Sequence, residues 1–135
     1  MRRTAVVLAM GSLLAVSACG SSGSKAASSS TGTTAAKPGA TVNMTFTVFD
    51  KKSYAIKAGQ ALTFVNANPI EHVIVEGTYK VDADGLRTSE TDDKAFNLPI
   101  PAKKGYSVSQ TFDKAGTFTF YCTIHKGMNA SVTVS

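Results

Sequence analysis

The sequence predicts an all-β fold, an antiparallel Greek-key β-sandwich formed by residues 41–135. Three observations support this fold class. Apolar and polar side chains alternate with a period of two, glycine-containing turns separate the alternating runs, and no run has the 3.6-residue period of a helix. Six to eight short strands of this kind are typical of a two-sheet sandwich.

The first strands are predicted between residues 42 and 66. In "TVNMTFTVF" alternate positions are apolar, which predicts a buried face formed by Val42, Met44, Phe46 and Val48. The segment "YAIKAGQALTFVN" predicts two short strands separated by residues 57–60, with Leu62 and Phe64 on one face of the second.

The later strands follow the same logic. "EHVIVEG", residues 71–77, is a continuous apolar run between acidic residues, as expected of a strand buried on both sides. "GYSVSQTF", "TFTFYC" and "ASVTV" alternate and predict three more strands. Residues 77–105 are polar and rich in turn formers, so we expect a long loop there, with a helical turn or an edge strand as options.

The first 18 residues are predicted to be a lipoprotein signal peptide. Arg2 and Arg3 precede an apolar stretch that is short for a membrane span. The string "VSAC", which ends at Cys19, resembles a bacterial lipobox, in which the cysteine is acylated and becomes the mature N-terminus. The alternative is an ordinary signal peptide cleaved near Ala18.

A flexible linker is predicted for residues 19–40, which include the lipidated Cys19. Residues 20–40 contain no aromatic or large aliphatic side chain, so they cannot bury enough surface to offset the entropy of ordering. A disordered tether of this length spans about 25 Å. We therefore expect a domain held near a membrane by Cys19, on the extracytoplasmic face of the cell membrane or in the periplasm.

The charge of the domain argues against nucleic-acid binding. Removing the four basic residues of the first 40 leaves 10 basic and 9 acidic side chains, a net charge of +1. A nucleic-acid-binding domain of this size normally carries a strongly basic face.

The segment "YCTIHKGM" holds several side chains that can bind a metal. Alternation in "TFTFYC" places Phe118, Phe120 and Cys122 on the core face and Tyr121 on the outer face. His125 and Met128 follow in a short loop that returns to the last strand. A thiolate, an imidazole and a thioether brought together in this way suit copper.

The remaining ligand must come from elsewhere in the chain. His72, at the start of "HVIVEG", is the only other histidine, and in a Greek-key sandwich its strand can lie beside the one that ends at Cys122. With Cys19 lipidated, Cys122 has no disulfide partner in the chain. Met44 is a second possible thioether, but it lies in the apolar face of the first strand and is expected in the core.

At these positions the domain resembles the cupredoxins of the plastocyanin and amicyanin type. "GTFTFYCTIHKGMNASVTV" is similar to the family's C-terminal copper loop, with the short C-x2-H-x2-M spacing of amicyanin, and "TFVNANPIEH" is similar to the upstream histidine region, with Asn66 at the loop asparagine. The resemblance implies one type-1 copper ion, with strong equatorial ligands and a long axial thioether. The ligands it implies are His72, Cys122, His125 and Met128.

The chain departs from the family pattern at three positions. Glu71 and Ile124 stand where proline is common, and Val73 stands where many members have an asparagine that braces the two ligand loops by side-chain hydrogen bonds. None of these changes removes a ligand. Phe118, Phe120 and Ile124 are candidates for the apolar shell around the site.

The sequence therefore predicts a membrane-anchored monomer that carries single electrons between transient redox protein partners, and not an enzyme. Copper oxidases need further histidine-rich centres, which two histidines cannot form. Three alternatives remain open: a copper protein for delivery, scavenging or sensing, a cupredoxin-like adhesion module without metal, and a zinc site, which the methionine ligand disfavours. The resemblance implies that His125 is the ligand at the solvent edge, and Lys126 beside it favours acidic partners.

Overall fold

A computed structural model describes residues 36–135 of the protein. The predicted signal peptide, Cys19 and the linker as far as residue 35 lie outside the described residues. Within residues 36–135 no helix occurs, and none is therefore long and apolar enough to cross a membrane.

The described chain forms nine strands in two packed sheets, which confirms the predicted all-β sandwich. One sheet has the order β2-β1-β4-β7 and the other β3-β9-β8-β5-β6. The strands are β1 (Lys37–Thr45), β2 (Val48–Phe49), β3 (Ser53–Ile56), β4 (Gln60–Asn66), β5 (His72–Val81), β6 (Arg87–Ile100), β7 (Ser107–Phe112), β8 (Gly116–Cys122) and β9 (Asn129–Val134).

The sheets are mixed, because β1 pairs with β4 and β3 pairs with β9 in parallel. The other strand pairs are antiparallel, as predicted. Strand β1 begins at Lys37, which pairs with Gln60, so the folded domain starts four residues before the predicted boundary at residue 41. Pairing uses backbone groups, and a segment without large side chains can therefore still complete the edge of a sheet.

The core lies between the sheets and is centred on aromatic rings. Phe64 of β4 and Phe120 of β8 are fully buried, and their rings meet edge to face with centroids 5.4 Å apart. Phe49 packs on Phe120 at 5.2 Å. The prediction that Phe46 and Val48 continue the buried face of β1 is wrong, since Phe46 has a positive φ of 42° and turns the chain before β2.

Strands β5 and β6 form a long hairpin, so the long loop predicted for residues 77–105 is wrong. Of the two options given for this segment, β6 is an edge strand and no helical turn occurs in residues 77–105. Residues 78–92 of this hairpin, here called the arm, fold back over the outer face of β8 and β9. The Thr119 hydroxyl donates to Gly77 O at 2.6 Å, the Tyr79 hydroxyl to Ala130 O at 3.4 Å, and Arg87 N to Lys126 O at 3.1 Å. These contacts progress along the arm from the middle of β8 to the loop after Cys122.

Gly77 permits the bend at the base of the arm. A Cβ at this position would overlap the Thr91 carbonyl oxygen and lie 3.1 Å from Asp92 Cα. The two strands of the hairpin can approach this closely only because residue 77 has no side chain.

The arm covers Tyr121, whose side chain was predicted to point outward from the strand. Tyr121 does lie on the outer face of β8, but it is only 2% exposed. Its ring meets that of Tyr79 edge to face at 6.1 Å, and the Arg87 guanidinium lies 4.6 Å from its centroid. The outer face of the sheet therefore has a small second layer of packing close to the end of β8.

Replacing Tyr121 tests whether the arm is packed on the sheet. We expect Tyr121→Ala to lower the free energy of unfolding by about 3 kcal/mol, because a large buried ring is lost. Thr117→Ala, on the same face of β8 but exposed, should change it by about 0.5 kcal/mol or less. Urea unfolding of the metal-free protein, followed by circular dichroism, measures both. Equal and small losses in the two variants would contradict a packed arm.

Candidate metal centre

Strand register brings the two predicted ligand regions together. Strands β5 and β8 are antiparallel neighbours, and Ile74 pairs directly with Cys122. His72 precedes Ile74 by two residues and therefore points to the same face of the sheet as Cys122. This is the adjacency that the sequence predicted for the strand "HVIVEG".

The donor atoms of three residues converge on one point. The Cys122 Sγ lies 3.4 Å from His125 Nδ1 and 3.9 Å from His72 Nδ1, and all three donors lie within 4.8 Å of one another. The two imidazole rings are 5.1 Å apart. Among the described residues this is the group of histidine, cysteine and acidic side chains that can hold a metal ion.

The loop from Cys122 to Met128 is closed by its own backbone. Met128 N donates to His125 O at 3.0 Å, which forms a turn, and Cys122 N donates to Met128 O at 2.9 Å. Thr123 N donates to Val73 O at 2.9 Å and so ties the loop to β5. Met128 is fully buried in the same apolar cluster as Cys122. Met44 is also buried, in β1 of the opposite sheet, where the sequence placed it.

The upstream ligand region is fixed by Asn66. Its side-chain amide is fully buried and donates to Ile70 O at 2.7 Å and to Pro101 O at 3.0 Å. These bonds hold the connection that leads to His72 against the end of β6. Asn66 therefore positions a ligand region without contacting the donor atoms.

The three departures from the family pattern leave the backbone contacts of the site in place. Glu71 is exposed, and the backbone oxygen of Val73 accepts the hydrogen bond from Thr123 N that links the two ligand regions. Ile124 is 52% exposed beside His125, so it belongs to the surface and not to an enclosing shell.

The two phenylalanines proposed for the apolar shell differ in position. Phe120 is fully buried and lies two residues from Cys122 on the same face. Phe118 packs on Phe112 with ring centroids 5.3 Å apart. It lies four residues from Cys122, about 13 Å along the strand, so Phe118 is not part of the site.

Burial keeps the His72 imidazole neutral. His72 is fully buried, and burial together with the nearby His125 lowers its pKa from 6.5 to about 4. Its Nε2 is buried without a hydrogen-bond partner, whereas Nδ1 faces the sulfur. A neutral imidazole with a free Nδ1 lone pair is the form that binds a metal.

Burial also distinguishes the donors from one another. His72, Cys122 and Met128 are fully buried, whereas His125 is partly exposed. A groove of about 600 Å³ lies over His125, and its half-exposed apolar side chains are Val48, Leu86 and Ile124. His125 is thus the donor residue that connects the buried site to the surface.

Sequence reasoning missed Arg87, which lies beneath the ligand loop. Its guanidinium is buried and donates to the backbone oxygens of Cys122, His125 and Met128. The one available signal was compositional, since Arg87 is the only arginine after Arg3. The contact itself depends on the fold of the arm, which local sequence patterns do not reveal.

Comparison with known proteins agrees with this geometry. Residues 34–135 match the family of copper binding proteins described as the plastocyanin/azurin family. Plastocyanin of Scenedesmus fuscus is 34% identical over 89 residues, which are 64% of this chain and 86% of that protein. Plastocyanin of Sambucus nigra is 30% identical over 91 residues, with 64% and 87% covered.

Two solved structures share the fold. A purple cupredoxin from Nitrosopumilus maritimus has a TM-score of 0.51 at 21% identity and covers 71% of this chain and 99% of its own. A reduced single-substitution variant of amicyanin has a TM-score of 0.52 at 21% identity, with 76% and 86% covered.

These findings confirm the predicted fold and cofactor. A buried cysteine sulfur, two imidazole nitrogens beside it and a methionine on the same loop fit one type-1 copper ion. The chain belongs to the plastocyanin/azurin family of copper-binding proteins, the cupredoxins.

Proposed function

We propose that this protein is a lipid-anchored electron carrier of the extracytoplasmic space, in which His72, Cys122, His125 and Met128 bind one copper ion. The observation that carries the proposal is the cluster of donor atoms from His72, Cys122 and His125, in which only His125 is partly exposed. A bound copper ion would supply one-electron chemistry by alternating between Cu(I) and Cu(II).

The protein contributes by holding the donors still. Thiolate, imidazole and thioether donors together accommodate both oxidation states, and hydrogen bonds fix the backbone that carries them. Little rearrangement then accompanies the change of charge. The chain has no further histidine with which to assemble a substrate-converting copper centre, so a carrier fits better than an enzyme.

Electrons would enter and leave through His125. Its imidazole reaches the groove formed with Val48, Leu86 and Ile124, which a partner protein can cover with an apolar surface of its own. Lys52 and Lys126 at the same groove favour partners with acidic side chains nearby. A contact limited to this groove would be transient, which suits a monomer that exchanges between two redox partners.

Copper delivery is the competing function for the same ligands. Delivery needs ligands that an acceptor protein can displace one at a time, and three of the four proposed ligand residues are fully buried. This burial supports retention of the metal and hence electron transfer.

Copper binding is tested with Cu(II) and the metal-free protein. We expect an intense thiolate-to-copper charge-transfer band in the visible spectrum, lost completely in Cys122→Ser because the thiolate is removed. Met44→Leu, which changes the other buried thioether, should leave the band unchanged. A colourless complex with ordinary Cu(II) EPR would argue against a type-1 site. Loss of Cu(I) to an equimolar competing chelator within minutes would favour delivery.

The stability of the metal-free protein should depend on pH through His72. Its folded pKa of about 4 lies below the ordinary value of 6.5, so only the unfolded chain takes up this proton as the pH falls between them. Stability is therefore full above pH 6.5 and falls towards pH 4 by at most about 1.4 kcal/mol per pH unit from this group.

Urea unfolding at pH 7, 5.5 and 4.5 measures this dependence. His72→Gln should remove the part of the slope that belongs to His72 and leave the part that belongs to the carboxylates. The same slope in both proteins would show that the His72 imidazole takes up its proton equally in the folded and unfolded chains.

The lipid anchor is tested on the full chain. We expect the wild-type protein in a bacterial host to fractionate with membranes, and Cys19→Ala to appear in the soluble fraction, because one acylated cysteine is the proposed attachment. Mass spectrometry of the N-terminal peptide should find an acylated Cys19. A peptide cleaved before Cys19 with a free thiol would support the ordinary signal peptide instead.

A further inference from the structure

Arg87 is a buried charge with four side-chain hydrogen bonds, three of which go to the ligand loop. The residue is 2% exposed, and its Nε donates to Glu90 Oε1 at 3.2 Å. The guanidinium lies over the Tyr121 ring at 4.6 Å. Glu90 is its ion-pair partner, and the remaining donors point at the loop between Cys122 and Met128.

Those donors reach three carbonyl oxygens of the loop. One terminal nitrogen, Nη1, donates to His125 O at 3.1 Å and to Met128 O at 3.0 Å, and Nη2 donates to Cys122 O at 2.5 Å. The three acceptors belong to three of the four proposed copper ligands. The backbone of Arg87 adds a fourth bond, from its amide to Lys126 O at 3.1 Å.

An arginine suits this position for a geometric reason. The loop turns so tightly that the carbonyls of residues 122, 125 and 128 converge on one small volume, and a planar fork with five N–H donors can serve all three at once. A lysine carries the same charge but has a compact ammonium group that cannot match this spread of acceptors. The guanidinium is buried, so solvent screens it weakly. Its ion-pair partner Glu90, which is partly exposed, offsets part of this charge through Nε.

We propose that Arg87 is a positioning residue that holds the ligand loop in its metal-binding shape before copper arrives and that favours the reduced site through its positive charge. The second part rests on the proposed copper site, whereas the first concerns the metal-free chain. A buried cation near the ligands disfavours the additional positive charge of the oxidised site.

Lys52 provides a matched control. Its Nζ donates to Gly127 O at 3.2 Å and to Asn129 O at 3.5 Å, so it is a second cation on the same loop. Lys52 is exposed, and water and salt therefore screen its charge. Lys52→Met removes these two backbone contacts and one charge without removing the buried guanidinium.

The loop is tested first in the metal-free protein by amide hydrogen exchange. We expect the amides of Cys122 and Met128 to exchange at least tenfold faster in Arg87→Met and in Arg87→Lys, because both lose the fork. The amide of Phe64, in β4, should be unchanged and reports on the rest of the fold. Lys52→Met should change the loop amides less than twofold.

The charge is tested next in the copper-loaded proteins by their reduction potentials. Arg87→Met should shift the Cu(I)/Cu(II) equilibrium about tenfold towards Cu(II), which corresponds to a potential lower by about 59 mV for one electron. Arg87→Lys keeps the charge and should keep most of the potential. Lys52→Met should shift the equilibrium less than twofold.

Each other outcome overturns a stated part of the proposal. Unchanged loop exchange in both Arg87 variants overturns the positioning role, and an unchanged potential in Arg87→Met overturns the electrostatic role. If Arg87→Met does not fold, Arg87→Lys decides the positioning role by exchange and the electrostatic role is abandoned. If neither variant folds, Arg87 supports the whole domain and the proposal is wrong.

Wild-type protein without a thiolate charge-transfer band contradicts the proposed copper site, and the exchange experiment still decides the positioning role.

Discussion

The site depends on the pairing of β5 with β8. Ile74 opposite Cys122 is the register that puts His72, 50 residues earlier in the chain, on the same face as the thiol. A slip of one residue would turn His72 to the opposite face and leave the sulfur beside an apolar side chain. Core packing also defines this register. Phe120, two residues before Cys122 on the same face, packs against Phe49 and Phe64, and this contact fixes the position of β8. The same strand register therefore satisfies both the packing of the core and the geometry of the donor atoms.

Holding a thiol and two imidazoles this close together costs free energy, which favourable contacts elsewhere in the structure must offset. The buried Nε2 of His72 has no partner in the structure, and burial together with the nearby His125 disfavours protonation of His72. Backbone bonds within the ligand loop and the Asn66 amide beneath the upstream region oppose the relaxation that would separate the donors. A site arranged in this way keeps its ligand positions when the charge at its centre changes, which is the physical requirement for fast one-electron exchange.

Local patterns were sufficient for the sandwich and for the convergence of His72, Cys122 and His125. Period-two alternation placed Cys122 on the core face, and with two histidines in the chain the choice of partners was small. The errors have two causes. Phe46 leaves the core because the backbone turns there, whereas Tyr121 and Arg87 are buried because the arm, which contains Arg87, packs against the end of β8 from a part of the chain that was predicted to be a loop. Contacts between distant segments leave no periodic signal, so alternation finds which way a side chain points but not what covers it.

The proposed role of Arg87 explains how this loop can be braced without residues that are common in the family. Ile124 stands where a proline is common, and Val73 stands where many members have an asparagine. Thr123 N donates to Val73 O, and the guanidinium of Arg87 lies under three carbonyls of the same loop. Rigidity that comes from outside the loop leaves Ile124 free to lie on the surface, where it extends the apolar groove beside His125. Under the proposed role of Arg87, the arm holds the loop backbone from beneath, so the loop does not need a stiffening residue at position 124.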